Sequence, residues 1–173
     1  MKGSVVNIKT RHFLSSKEVK KLVEELKIRF GGSLDAFLGV KPQIERIVLD
    51  NNEELLAINK IVSFWKRGES YIPLLKLLID RVVQLKTVVV DMGAVKFVTN
   101  GADVMRPGIR RIDPTIREGD VVVVVDENNA RPLAVTQAKL DAPQMESTRE
   151  GKVLKNLHTI NDFLWEFSKE FGK

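Results

Sequence analysis

Five consecutive valines at residues 121–125 constrain the fold more than any other stretch of the chain. β-Branched residues favour strands, and a strand without alternating polar positions must be covered on both faces. A small closed barrel or a sandwich provides that cover. The polar loop at residues 126–129 and the apolar residues 133–135 predict the return strand of a hairpin. The second half of the chain is therefore expected to form a small barrel or sandwich.

A strand, a short helix and a glycine-containing loop are predicted in succession over residues 88–111. The valines at residues 88–90 predict a buried strand, and residues 94–99 are too few for more than about two helical turns. The turn dipeptides Asn100-Gly101 and Pro107-Gly108 then predict a loop.

Three arginines belong to this loop or follow it directly. Arg106 lies between the two turn dipeptides, so its side chain is expected to be exposed, and Arg110 and Arg111 come soon after. The only nearby groups of a catalytic type are the carboxylates Asp91 and Asp103. The stretch is interpreted as a binding site for a negatively charged ligand.

Composition limits the class of protein. The 173 residues suggest one large or two small domains, and 43% hydrophobic residues can form a core. The absence of cysteine excludes disulfides, thiolate zinc sites and cysteine nucleophiles, and it fits a reducing cytoplasm. No apolar run approaches the roughly 18 residues of a membrane span, and residues 1–4 lack the apolar core of a signal peptide. A soluble cytoplasmic protein is expected, without membrane association.

The net charge of +5 permits a nucleic-acid or acidic partner. Residues 1–82 hold 15 lysines and arginines against 10 acidic residues, whereas residues 86–117 hold six against three. The positive charge of the second half thus lies on the stretch with the arginines. A mixed, solvated surface is the alternative interpretation.

The first half alternates helix and strand signals. Val5, Val6 and Ile8 predict a first strand, and Ser15 with Glu18 forms a capping box before an apolar stripe at helical spacing. Gly31-Gly32 is expected to end this helix. The helix also carries five cations, which usually mark a solvated face; they are Lys17, Lys20, Lys21, Lys27 and Arg29.

Strands are predicted at residues 44–49 and within residues 54–65, where Asn59-Lys60 is a possible turn. Pro73 is expected in the first turn of a leucine-rich helix. The composition changes near residues 81–86, so the predicted domains are residues 1–82 and 83–173.

The last third of the chain contains three further predicted elements. Residues 141–147 predict a short helix and residues 151–157 a strand. Phe163, Trp165 and Phe167 alternate as they would along a closing strand.

Enzymatic signatures are missing from the sequence. It has no HExxH, P-loop, GxGxxG or GxSxG motif. His12 and His158 lie in separate predicted domains without a nearby acidic cluster, which argues against a metal site. The chain is therefore expected not to be an enzyme and to need no cofactor.

Several short motifs of the second half occur together and in order. They are Gly93-Ala94-Val95-Lys96-Phe97, residues 100–109, Arg117-Glu118-Gly119-Asp120, Leu157-His158 and Asn161-Asp162. Over roughly residues 84–171 they resemble a PUA domain, the RNA-binding module named for pseudouridine synthases and archaeosine transglycosylases. The resemblance implies a mixed pseudo-barrel of about six strands with two short helices.

The resemblance extends towards the N-terminus. Arg67-Gly68-Glu69, Tyr71 and Pro73 with the following leucines resemble the end of the pre-PUA domain of the malignant T-cell-amplified sequence family, also called translation machinery-associated proteins. The fold class implied is α+β, with a mixed pre-PUA domain followed by a PUA pseudo-barrel that is mostly β with short helices. The first 60 residues match less clearly.

In PUA domains RNA is held by the first short helix, the glycine loop after it and neighbouring strands. The residues that this implies here are Gly93, Ala94, Lys96, Asn100, Gly101, Arg106, Pro107, Gly108, Arg110 and Arg111. Glycines allow close approach to a phosphate or base, and the N-terminus of a helix can receive a phosphate.

Each of these residues also has a structural interpretation. Lys96 is, in this interpretation, a surface lysine beside the core residues Val95 and Phe97, and Met105 is expected in the core. Either Arg110 or Arg111 could instead pair with Asp103 or Asp113. His158 is expected to be a hydrogen-bonded structural histidine, and both tryptophans are expected to be packing residues.

The function implied is RNA binding in the translation apparatus, to the small ribosomal subunit through ribosomal RNA or to the acceptor end of tRNA. The family acts in initiation, reinitiation and recycling, in eukaryotes with density-regulated protein, so a protein partner of that type is possible. The family favours a monomer. Two alternatives stay open: an accessory RNA-binding subunit that guides an RNA-modification enzyme, and a protein-interaction module of PUA fold without RNA binding.

Overall fold

A computed structural model describes residues 5–173, so the N-terminal tetrapeptide considered above lies outside the described residues. The chain forms two compact units. One comprises the residues up to Gln84 together with Glu166–Lys173, and the other is Leu85–Trp165. Within the described residues, no helix has the length and apolar character needed to cross a membrane. The predicted division at residues 82 and 83 stays a prediction, because compactness does not show that a unit folds alone.

The first unit contains a five-stranded antiparallel sheet in which each strand pairs with the next in sequence. Its strands are β1 (Ile8–Phe13), β2 (Ile44–Leu49), β3 (Glu54–Ile58), β4 (Ile61–Arg67) and β5 (Ser70–Pro73). Three helices accompany the sheet: α1 (Ser16–Phe30), α2 (Leu34–Leu38) and α3 (Leu75–Ile79). The expected strands at residues 44–49 and 54–65 are confirmed, including the turn at Asn59-Lys60.

Two local predictions for this unit are wrong. The first strand begins at Ile8 and not at Val5, because its pairing with β2 starts where Ile8 faces Leu49. Pro73 ends β5 opposite Phe64 and does not begin a helix. Proline is tolerated there because β5 is an edge strand and its missing N–H is not needed by a further neighbour.

Helix α1 is built as its sequence predicts. Glu18 donates its backbone N–H to the Ser15 hydroxyl, and the Glu18 carboxylate accepts the Ser15 N–H at 2.8 Å. The Ser15 hydroxyl also donates to this carboxylate at 2.7 Å. The bonds that the carboxylate accepts from the Ser15 hydroxyl and, second, from its N–H lower the pKa of Glu18. Leu22 and Leu26 are buried, and Gly31 ends the helix at φ +81°, a conformation that favours glycine.

The second unit is a six-stranded mixed sheet that curls into a nearly closed pseudo-barrel. Its elements are β6 (Thr87–Val90), α4 (Met92–Thr99), β7 (Val104–Met105), a 3-10 turn (Arg106–Gly108), β8 (Ile109–Ile112), β9 (Val121–Asp126), β10 (Pro132–Ala138), α5 (Ala142–Ser147) and β11 (Lys152–Thr159). The sheet order is β7-β11-β10-β9-β6-β8, and β6 and β9 run parallel.

The valine runs lie where the sequence predicts them. In β9, Val122–Val125 are all buried, with alternate valines facing the barrel core. In β6, Val88 and Val90 join the same core. The predicted fold class, α+β with a mixed first unit followed by a mostly β pseudo-barrel with short helices, is confirmed.

The predicted closing strand is wrong, since Phe163–Glu170 forms helix α6. The Asp162 carboxylate accepts the backbone N–H of Trp165 at 2.9 Å and so caps the first turn. Phe167 and Phe171, four residues apart, bring their ring centroids to 5.8 Å. The apolar residues that contact each other in this segment are therefore four positions apart, as in a helix, and not two apart, as in a strand.

The buried side chain of Asp126 stabilises the turn between β9 and β10. Its buried carboxylate accepts the backbone N–H groups of Asn129 at 2.6 Å, Asn128 at 2.9 Å and Arg131 at 3.0 Å. These bonds, that of Asn129 above all, hold the pKa of Asp126 below its usual value despite burial.

We expect Asp126→Asn to lower the free energy of unfolding at neutral pH by about 1.5–3 kcal/mol, because an amide nitrogen beside the Arg131 N–H cannot accept its bond. The folded pKa lies below the unfolded one, so the stabilisation is complete above the ordinary aspartate pKa and is lost as the pH falls through the folded value. Urea denaturation over an acidic pH series should show the difference from wild type shrinking as the pH falls. Glu150→Gln, in an exposed connection, is the control, and a difference that does not change with pH would contradict the role of the carboxylate.

Candidate functional site

A groove of about 500 Å³ lies in the second unit beside α4 and the loop that leads to β8. Its walls come from α4 with its preceding residue, from residues 102–108 and from β11. The lining residues are Asp91, Gly93, Ala94, Phe97, Val98, Ala102, Asp103, Val104, Met105, Pro107, Gly108 and Lys152. Four of the ten residues predicted for RNA binding are among them: Gly93, Ala94, Pro107 and Gly108.

The loop approaches the helix closely because of one glycine. A Cβ atom at Gly108 would lie 3.1 Å from the Cβ of Ala94, which is tighter than ordinary packing. The Gly108 carbonyl also accepts the Asp91 N–H at 2.9 Å, and the Asp91 side chain caps α4 by accepting the Ala94 N–H at 2.9 Å. Loop and helix are thereby held together at the N-terminus of α4.

The groove has an exposed apolar surface. Phe97 is 66% exposed and Met105 46% exposed, so the expectation that both belong to the core is wrong. Helix α4 packs on the core through Ala94, Val95 and Val98. Phe97 instead lies one turn after Gly93, on the side that lines the groove.

The charged groups of the groove are largely engaged with partners in the protein. Asp103 accepts the Asn156 N–H at 2.9 Å, and its other oxygen lies 3.6 Å from the Lys152 ammonium group. Asp91 lies 3.6 Å from the Arg110 guanidinium group. Lys152 was not predicted as a site residue, since it lies far from the loop in sequence. The groove is thus apolar with an almost neutral rim.

The sequence predicts that a phosphate binds at the N-terminus of α4. Two of the backbone N–H groups expected to bind it are instead bonded to carboxylates of the protein. The Ala94 N–H is bonded to Asp91, and the Met92 N–H donates to the Glu127 carboxylate at 3.2 Å. Arg110 lies between these acids, 3.7 Å from the second oxygen of Glu127. Two carboxylates at this end of the helix would repel a phosphate.

Arg106 is a structural residue of the loop. The expectation that it is exposed is wrong, because its side chain is only 18% exposed. Its Nε donates to the Met145 carbonyl at 2.7 Å and its Nη1 to the Ile109 carbonyl at 3.2 Å. Glu146 lies 3.5 Å from its Nη2. Met145 belongs to the last turn of α5, and its carbonyl also accepts the Thr148 N–H at 3.2 Å. Arg106 adds a charged donor there and so connects the loop to that helix end.

The remaining predicted residues are exposed and lie outside the groove lining. Asn100 ends α4, and Gly101 follows it at φ +94°. Lys96 and Arg111 make no ion pair with any residue of the described part of the chain. Contact of these residues with RNA stays a prediction.

The interpretation of His158 is confirmed. Its imidazole is buried, and its Nδ1 lies 2.8 Å from the Asp162 carboxylate. Asp162 also accepts the Thr159 N–H at 3.0 Å, so the pair braces the turn between β11 and α6. Across residues 5–173, no three histidine or acidic side chains are grouped to hold a metal ion.

We expect Arg106→Ala to lower the free energy of unfolding by about 1.5–3 kcal/mol, because it leaves two partly buried carbonyls without a charged donor. Arg111→Ala is the matched control and should change stability by less than about 0.5 kcal/mol. Urea denaturation of the three proteins measures both effects. Equal losses for the two variants would show that the bonds of Arg106 do not stabilise the loop.

Comparison with known proteins identifies both halves of the chain. A family model described as PUA domain matches residues 86–160, and one described as a domain of unknown function, DUF1947, matches residues 10–81. A crystal structure of a hypothetical protein from Pyrococcus horikoshii has a TM-score of 0.77 at 34% identity and covers 92% of this chain and 99% of that one. A conserved PUA domain protein from Thermoplasma acidophilum has a TM-score of 0.73 at 29% identity, with the same coverage.

Relatives are similar along most of the chain. An uncharacterized protein of Methanocaldococcus jannaschii is 41% identical over 94% of this chain and 99% of its own length. Translation machinery-associated protein 20 of Saccharomyces cerevisiae is 32% identical over 79% of both chains. Malignant T-cell-amplified sequence 1-B of Xenopus laevis is 31% identical over 76% of this chain and 75% of its own. The resemblance found in the sequence is confirmed: the chain belongs to the family of PUA-domain proteins that includes translation machinery-associated protein 20 and the malignant T-cell-amplified sequence proteins.

Proposed function

We propose that the chain is an RNA-binding protein of the translation apparatus and that the groove beside α4 binds an unpaired nucleotide. The observation that carries this proposal is Phe97, an exposed aromatic ring on an apolar groove. Proteins recognise single-stranded RNA largely by stacking splayed bases on aromatic side chains. A groove of about 500 Å³ with an apolar lining suits a base better than a phosphate.

The phosphates of the bound strand would lie outside the groove. Lys96 adjoins Phe97 on α4, and Arg111 lies in β8; both are exposed and without an internal ion pair among the described residues. Unpaired cations attract the RNA backbone independently of sequence. Arg106 is not assigned to this contact, because its side chain is only 18% exposed and donates to two carbonyls inside the protein.

The link to translation comes from the relatives, one of which is named translation machinery-associated protein 20. We extend this to a cytoplasmic protein whose RNA is ribosomal RNA of the small subunit or the acceptor end of tRNA. In the alternative of an RNA-modification subunit the same groove would bind RNA, and the protein would co-purify with a modification enzyme instead of ribosomal subunits.

The stacking role predicts the effect of shortening Phe97. Phe97→Ala should weaken binding of a fluorescein-labelled single-stranded RNA by about 5- to 100-fold, because one stacked base contributes about 1–3 kcal/mol. Met92→Ala is the matched control, since Met92 is an exposed apolar residue of the same helix outside the groove lining. Fluorescence anisotropy measures both. Equal affinity of Phe97→Ala and wild type would exclude the groove as the base site.

The charge role predicts a change in salt dependence. The double variant Lys96→Ala with Arg111→Ala should reduce the slope of log K against log salt by about 0.7 for each phosphate that the variant no longer neutralises. Lys17→Ala with Lys20→Ala removes the same charge from α1 and should leave the slope unchanged. A slope that is equal in wild type and the first variant would show that these cations do not contact the backbone.

Sedimentation with purified small subunits tests the biological partner. Wild type should co-sediment at low salt and dissociate as salt rises, and Phe97→Ala should bind less at each salt concentration. Binding to subunits that is unaffected by Phe97→Ala, together with no affinity for labelled RNA, would favour a protein-interaction module.

A further inference from the structure

The first unit has an apolar groove that the proposed RNA site does not use. It lies between α1 and the connection from α2 to β2 and has a volume of about 820 Å³. All of its lining residues fall within residues 13–44. We call it the α1 groove.

Two lining side chains of the α1 groove are strongly exposed, Phe13 at 61% and Val40 at 97%. Val19 and Val23, one turn apart on α1, are half-buried, and buried Ile44 closes the base. Exposed apolar residues scattered singly are ordinary, but several lining one concavity mark an interaction site. The described part of this protein leaves them open.

The walls of the α1 groove are held in place by bonds at both sides. The Lys27 ammonium group lies 2.6 Å from the Asp35 carboxylate and joins α1 to α2. Gly39 ends α2 at φ +69°, with its N–H donated to the Asp35 carbonyl at 3.0 Å. Leu14 donates its N–H to the Ile44 carbonyl at 2.9 Å. A groove that exists before binding costs less ordering when it is filled.

The charges on the α1 groove select the occupant. Three lysines and one acid, Glu24, line it. Lys27 is paired with Asp35, whereas Lys20 and Lys41 have no ion pair within residues 5–173. The rim is therefore positive around an apolar floor, which complements a segment with apolar and acidic faces.

Two other occupants are to be distinguished. RNA would meet one exposed aromatic ring with unpaired lysines nearby, as it would at the groove beside α4, and the competition experiment below separates it from a peptide. A second copy of this chain in a two-fold dimer would bring the lysine rim of each copy against the same rim of the other. Like charges facing each other disfavour that contact.

We propose that the α1 groove docks an acidic amphipathic helix of another protein. Apolar side chains spaced i, i+3 or i+4 and i+7 enter between Val19, Val23 and Val40, and acidic residues beside them pair with Lys20 and Lys41. This surface belongs to the first unit alone, so it does not depend on the proposed RNA site.

An unbiased peptide selection tests the chemistry of the occupant. A display library of random peptides of about 16 residues, or about 24 Å as a helix, is selected on the full chain and counter-selected on Phe13→Ser with Val40→Ser. Enriched peptides should carry apolar residues at helical spacing and a surplus of Asp and Glu. Basic or unpatterned peptides, or no enrichment, would overturn the proposal.

Affinities of an enriched peptide then locate the contact. Phe13→Ser with Val40→Ser should weaken binding by about tenfold or more, as loss of central apolar anchors does. The matched control, Val5→Ser with Ile28→Ser, removes two exposed apolar side chains outside the groove lining and should keep wild-type affinity. An equal loss of peptide affinity in both double variants would show that the peptide does not bind in the α1 groove.

Charge reversal and competition separate the remaining possibilities. Lys20→Glu with Lys41→Glu should weaken the peptide by about tenfold or more and make binding less sensitive to salt, whereas Lys17→Glu with Lys155→Glu should not. If single-stranded RNA displaces the peptide from the Phe97→Ala variant as well as from wild type, the α1 groove is a nucleic-acid site and the proposal is overturned. The proposal would also be overturned if sedimentation equilibrium showed a concentration-dependent dimer of wild type that is lost in the variant Phe13→Ser with Val40→Ser.

Discussion

The site in the second unit depends on the close approach of the Gly108 loop to α4. Gly108 lies where any side chain would press on Ala94, and its carbonyl bonds the backbone of Asp91, the residue that caps the helix. The contact between Gly108 and the start of α4 therefore positions both the N-terminus of the helix and one wall of the groove. Arg106 holds the other side of the loop by bonding carbonyls of α5 and β8. A rigid frame of this kind positions a ligand better than a free loop does.

The contacts that hold the loop explain why some cations near the groove are bonded within the protein and others are exposed. Arg106 donates to carbonyls of the protein itself, and Arg110, although exposed, lies within 4 Å of two carboxylates. Lys96 and Arg111 remain exposed, and the groove between loop and helix keeps an apolar surface with Phe97 on it. In the proposed RNA site charge and shape are thus separated, since exposed cations would attract the RNA backbone and the groove would select the base. An even spread of arginines over the loop would bind anions without that selection.

The two units offer similar apolar grooves, for which different partners are proposed. Each has an apolar groove beside a helix, closed by a turn that contains glycine. In the second unit the acids are paired internally and an aromatic ring is exposed, which suits a nucleotide. In the first unit two lysines on the rim are unpaired among the described residues, and this positive rim around an apolar floor is proposed to receive an acidic protein segment. A protein with both surfaces could join an RNA to a protein partner.

Local signals in the sequence determined the elements that depend on neighbours in the chain. The β-branched runs specified β6 and β9, Ser15 and Glu18 specified the start of α1, and the ordered motifs specified the family. Contacts distant in sequence were decided by the tertiary structure alone. Arg106 turns inward to donate to a carbonyl 39 residues away, and the Met92 N–H in the first turn of α4 donates to an acid 35 residues away. Phe97 is exposed because burial depends on which face of a two-turn helix meets the barrel, and the packing of that helix is set by strands distant in the chain.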